Sequence, residues 1–194
     1  MDKIESSPKT YSTHKWSNLF IIVGLAQFVA VGVLTVIIVL SHMSPEPVLS
    51  TIMTYTNAEF TPGLWFTFGY QMYILGSIGV LVFGFVYRHI ENMSGNTYNK
   101  KTNFLAGFHL VTMNVGLVVS TFTFMISGWI TGIAMVGEDF GGKAMATMPV
   151  HFEIFMTLVP LGVPYWTGIW ILVMAAGIIF GSIGLIVRLR EVIR

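Results

Sequence analysis

The sequence predicts an all-α membrane protein: a bundle of four transmembrane helices, N-in and C-in, with a short outer interfacial helix before the fourth span. Three observations predict it. First, 54% of the 194 residues are hydrophobic, 10% are charged, and the mean hydropathy is +0.75. Soluble domains carry about 25% charged residues, and ten basic plus nine acidic side chains cannot cover a water-soluble globule of this length. Second, four stretches are apolar for long enough to cross a hydrocarbon layer of ~30 Å, which takes about 20 helical residues. Third, lysine and arginine segregate to alternate loops.

The spans run over about 16–40, 64–87, 104–133 and 163–187, and within these bounds none contains Lys, Arg, Asp or Glu. Strand-like alternation is missing, which argues against a β-barrel. The first span resembles a signal sequence only superficially. Its apolar run of about 25 residues exceeds the ~7–15 of a signal core, and no A-x-A pattern follows before His42, so it is expected to be retained.

Lys3, Lys9 and Lys15 precede the first span, Arg88, Lys100 and Lys101 lie in the middle connection, and Arg188, Arg190 and Arg194 close the chain. Only Lys143 breaks the pattern. The positive-inside rule therefore places both termini and the middle loop in the cytoplasm, and the expected setting is the cell (plasma) membrane, crossed several times. The opposite face carries Glu46, Glu59, Glu138, Asp139 and Glu153.

The polar connection at 88–103 predicts an antiparallel hairpin of the second and third helices. Pro45 and Pro47 exclude a helix through the first outer loop. Pro149 starts a short interfacial helix over about 148–156, and Pro160 and Pro164 interrupt the chain before the last span. One domain, 1–194, accounts for everything.

Composition narrows the chemistry. Cysteine is absent, which excludes disulfides, zinc fingers, iron–sulfur clusters and thiol catalysis. A net charge of +1 offers nothing to nucleic acid. His109, inside the third helix, is the one histidine within a span, with Asn114 further in. An ionisable group there is a haem ligand, metal ligand or proton relay, or a neutral imidazole bonded across helices. A bis-histidine haem would need His89 or the tail residue His14 as the second ligand. The relay lacks a carboxylate within the span bounds.

On the outer face, His42, His151 and the carboxylates lie near Met135, Met145 and Met148, a donor set that copper, zinc or iron could use. His151 and Glu153 point to different sides of a helix, however, and no H-x-x-x-H or E-x-x-H pair occurs. An acidic rim or partner surface is the plainer account, and whether these groups bind metal together with another subunit is open. Gly137–Lys143 has the spacing of a phosphate loop, but Ala144 replaces the Ser/Thr that holds magnesium and no strand precedes it. Asn92-Met93-Ser94 is a glycosylation sequon on the expected cytoplasmic side. No catalytic, cofactor-binding or metal-ligating residue is assigned.

Small residues recur at helical spacing: Ala26/Ala30, Gly128/Gly132 and Gly177/Gly181, with Gly76, Gly79 and Gly84 in the second helix. Such faces let helix backbones approach in lipid. They suit a tight bundle or one that docks on a larger assembly.

The run Tyr98-Asn-Lys-Lys-Thr-Asn-Phe-Leu-Ala-Gly-Phe-His109-Leu-Val-Thr-Met-Asn-Val-Gly116, followed by Ile126-Ser-Gly128-Trp129-Ile-Thr-Gly132-Ile133, resembles the late helices of the catalytic subunits of C-type haem-copper oxidases and nitric oxide reductases. The resemblance covers about 120 residues from Trp65 on. That family begins the preceding helix with a histidine pair that ligates two haems. Here the stretch is Phe66-Thr-Phe-Gly69-Tyr70-Gln71-Met72, so the ligands are not carried over. Gly63-Leu-Trp-Phe-Thr-Phe-Gly69-Tyr70 is also similar to small archaeal membrane subunits that accompany respiratory oxidases or ammonia monooxygenase. The resemblance implies a cofactor-free accessory subunit of a membrane metallo-oxidoreductase complex, not catalytic alone, with haem or copper in partner subunits. An auxiliary subunit of a copper monooxygenase, a small haem carrier and a transporter or channel subunit are the alternatives.

Overall fold

A computed structural model describes residues 14–43, 62–94, 98–136, 156–159 and 162–193. Four long helices make up almost all of these: α1 (Lys15–His42), α2 (Pro62–Ser94), α3 (Lys100–Val136) and α4 (Gly162–Ile193). Each is long and apolar enough to cross a membrane. At ~1.5 Å per residue even α1 is about 42 Å long, more than a hydrocarbon layer requires. Residues 156–158 are helical. The rest of the expected interfacial helix lies outside the described residues, as do Glu46, Glu59, the glycine loop 137–143, His151 and Glu153.

The helices extend beyond the expected spans, most of all where α2 runs to Ser94 and α4 to Ile193. Apolar length marks only the part in hydrocarbon, whereas a helix continues until its backbone is capped. The connection between α2 and α3 thereby shortens to 95–99. It ends in a cap made by Asn99: its side-chain oxygen accepts from the Thr102 amide at 2.9 Å, satisfying one of the free N–H groups at the start of α3.

Packing between chain neighbours is antiparallel. The start of α1 meets the end of α2, where Ser17 bonds Glu91. Gly69 and Gly76 of α2 face Thr121 and Leu117 of α3, and Gly177, Gly181 and Gly184 of α4 face Met113, His109 and Leu105 of α3. The bundle is an open row. Each helix packs mainly on its chain neighbour, α2 and α4 touch little, and α1 and α4 are at its two edges. Along the row the core contains Phe20, Tyr73, Val80, Tyr87, Met113 and Leu117.

Glycine sets the spacing of the row. A Cβ on Gly177 would lie 2.7 Å from the Met113 amide nitrogen, and one on Gly116 would lie 2.7 Å from the Trp170 carbonyl oxygen. The α3–α4 seam is thus backbone against backbone, as van der Waals packing in lipid favours. Of the expected small faces, the Gly177/Gly181 face is spent inside the chain. Ala26 is exposed, and the close approach of α1 to α2 uses Gly24 against Leu81 and Gly84 against Ile21.

Candidate functional site

Among the described residues, two buried polar groups and an apolar groove are the features with chemistry to consider. The largest polar group is at the end of the row that holds the start of α1, the ends of α2 and α4, and the 95–99 connection.

Its centre is Glu91, fully buried on the last turn of α2. The residue preceding α1, His14, provides no side-chain cap, and the Glu91 carboxylate takes that role from another helix. Oε1 accepts from the Trp16 amide at 3.1 Å and from the Tyr98 hydroxyl at 2.8 Å. Oε2 accepts from the Ser17 hydroxyl at 2.6 Å. That hydroxyl also lies 3.3 Å from the His14 carbonyl, but its one proton goes to the nearer carboxylate. A negative group at a helix N-terminus is further favoured by the aligned peptide dipoles. His14 Nδ1 lies 3.6 Å from Oε2.

Arg188 of α4 is the positive counterpart, also buried. It reaches Glu91 through Tyr98 rather than directly. Its guanidinium carbon lies 3.4 Å from the centroid of the Tyr98 ring, whose hydroxyl bonds Glu91. Arg188 also donates to the Ser94 hydroxyl, from Nε at 3.2 Å and from Nη2 at 2.5 Å. Tyr98 lies between α2 and α3; burial, then the bond to the Glu91 carboxylate, pushes its phenol well above the usual tyrosine range. It is held as a protonated donor. The outcome is a clasp that ties α1, α2 and α4 through the connection to α3. Two buried charges are costly singly and tolerable when paired and hydrogen-bonded.

The sequence reading missed this clasp because its span bounds stopped at 87 and 187. The signal was present. The inward stripe of α2, Tyr73, Val80, Gly84 and Tyr87, reaches Glu91 one turn later. On α4 the Gly177, Gly181, Gly184 face reaches Arg188 at the next step. The statement that no carboxylate lies in a span is therefore corrected for the helices as they fold.

His109 is the second group, about two and a half turns into α3 and fully buried. Phe83 meets its ring edge-on at 4.4 Å between centroids, and Phe20 packs at 4.9 Å. Nδ1 lies 3.3 Å from the Tyr87 hydroxyl, while Nε2 has no hydrogen-bond partner among the described residues. On the α4 side, a Cβ added at Gly181 would fall on the imidazole itself. All four helices thus converge on this ring. The walls are too close for a porphyrin unless α3 and α4 separate. His89 is exposed on α2 and His14 belongs to the clasp, so neither faces His109 as a second axial ligand would. Asn114 accepts from Gln27 of α1 at 2.8 Å and donates to the Leu110 carbonyl at 2.6 Å, a link between alternate helices of the row.

Among the described residues, no three His, Asp or Glu side chains converge to hold a metal. The outer-face candidates lie outside those residues, and of His42 only the backbone is described. The groove, of about 450 Å³, opens where α2 and α4 splay over α3. It is lined by Phe68, Gln71, Met72, Leu75, Gly76 and Gly79 of α2, Met113 and Leu117 of α3, and Met174 and Ile178 of α4 among others. Comparison with protein families, with characterised proteins and with solved structures finds no match to this chain.

Proposed function

We propose that this chain is a cofactor-free accessory subunit of a membrane-bound metallo-oxidoreductase complex of energy metabolism, resembling a terminal oxidase, in the plasma membrane. Haem or copper would reside in its partner subunits. The observation that carries the accessory role is the open row. Its buried polar side chains are largely engaged within the chain, some joining helices and others bonding back to carbonyls of their own helix. Among the described residues, an apolar groove and the broad sides of α1 and α4 remain unpaired. Such a unit acts by packing: it shields cofactor-bearing helices from lipid and extends the acidic outer rim toward an electron carrier or substrate. The oxidoreductase setting rests on the resemblance of residues 98–133, and the segment 63–70 extends it to a copper monooxygenase of the ammonia-oxidising kind.

A transporter or channel subunit is the second reading, favoured by the buried Glu91 and Arg188, since ionisable groups inside membrane helices often mark ion pathways. Purification of the tagged native protein in mild detergent, with a redox difference spectrum and mass spectrometry on one fraction, tests both. Co-migration with haem- or copper-bearing chains, the isolated chain being colourless, is the expected outcome. A haem spectrum from the chain alone would overturn the reading, and a colourless homo-oligomer would favour transport.

A further inference from the structure

We propose that the groove between α2 and α4 seats one transmembrane helix of a partner subunit, and that this helix brings a hydrogen-bonding side chain to Gln71. The inference rests on the accessory-subunit reading and specifies its docking surface.

Gln71 is exposed on the groove wall, and no described residue bonds its amide. It lies six residues beyond Trp65, about 9 Å further along α2 at helical rise. Tryptophan marks the membrane interface, so the amide sits within the hydrocarbon layer. Acyl chains cannot donate to it or accept from it. A neighbouring helix can, and side-chain amides are a known adhesive between membrane helices.

Shape selects among protein occupants. The groove is concave, with Gly76 and Gly79 in its α2 wall. A two-fold copy of this chain would present the same hollow and leave the space unfilled. A single convex helix fills it. Met72, Met113 and Met174 line the hollow, and their unbranched thioether chains can conform to the side chains of an inserted helix.

The test is photo-crosslinking of the full-length chain in its native membranes. A benzophenone amino acid replaces Leu75, on the groove wall, or Val29, on α1. The two are equally open, at 68% and 69% exposure, so capture of lipid or of passing protein would be equal at both. The expected result is one discrete protein adduct from Leu75 and none from Val29, the crosslink mapping to an apolar segment that carries Ser, Thr, Asn or Gln. Gln71→Leu should lower its yield about three- to twenty-fold, the range such bonds provide. The melting of the isolated chain should stay unchanged.

Equal capture at both positions, an adduct of twice the chain's mass, or a yield untouched by Gln71→Leu would overturn the proposal. Its failure is separable from that of the functional reading. A mapped, Gln71-dependent helix from an assembly without haem or copper keeps the groove and removes the oxidoreductase. A metal-bearing assembly with equal capture does the reverse.

Discussion

The clasp around Glu91 and the groove around Gly79 belong to the same helix, α2, about three turns apart, and they hold the molecule in opposite ways. At the clasp, helices join through directional bonds. A carboxylate caps another helix, a phenol bridges it to a guanidinium, and few polar atoms are left over. At the groove, α2 and α4 part company, and the wall contains glycine, methionine and one exposed amide. The clasp fixes which helices are neighbours. The groove leaves a side unfilled by the described residues, and between the two the glycine seam of α3 and α4 sets how closely backbones approach.

That contrast orders the effects of substitution. Glu91→Ala should be the most damaging, because it uncaps α1 and leaves the Arg188 charge buried without its counterpart. Breaking one side of a buried charge pair costs about 3–5 kcal/mol. A large fall in the thermal midpoint in mild detergent is expected. Adding Arg188→Met should recover part of it, and a double variant no better than the single would show that the two charges are not coupled.

Gly181→Ala should cost about 1–3 kcal/mol by overpacking, since the new methyl falls on His109. His109→Ala in the same chain should relieve that cost, so the double variant should be more stable than the sum of its parts. Simple additivity would mean that the ring and α4 do not share the space.

Gln27→Leu removes the bond from α1 to Asn114 on α3. A loss of about 0.6 kcal/mol, with ~1.7 as the upper bound, is expected from bonds between membrane helices. Denaturation in detergent of graded strength would read it, and an increase in stability would show that the Gln27 oxygen, unpartnered among the described residues, outweighs the bond.

The smallest effect sharpens the comparison most. Gly79→Ala places a methyl no closer than 3.5 Å to the Met113 methyl, an ordinary contact. Alanine is preferred to glycine within a helix by roughly 0.5–1 kcal/mol, so the isolated chain should gain a little stability. The same exchange, Gly→Ala, thus has opposite signs at positions 79 and 181. Destabilisation at Gly79 would mean that the groove is closed.

Helix number and approximate position were legible in the sequence, because apolar length and the absence of charge over 16–40, 64–87, 104–133 and 163–187 leave few other solutions for a chain in hydrocarbon. Individual contacts were less so. The histidine within a span, His109, stood out by type, yet Glu91 and Arg188, which carry the larger polar structure, fell beyond the span bounds. Hydropathy reports where a helix leaves the apolar layer. It does not report which face continues inward after that point, and here the inward faces of α2 and α4 each continue by one turn.

The sequence by itself determined that four segments are long and apolar enough to cross a membrane as helices, that basic residues gather at the ends of alternate connections, and that small residues are spaced for close packing. These are properties of single segments meeting a solvent, so local composition suffices. Only the tertiary structure decided that the Gly177/Gly181 face is consumed by α3, that Glu91 caps a helix start 75 residues earlier in the chain, and that among the described residues Ala26 is not used and the row stays open between α2 and α4. Those outcomes depend on which backbones can approach and which charges can be paired at the same depth, and both are relations between helices.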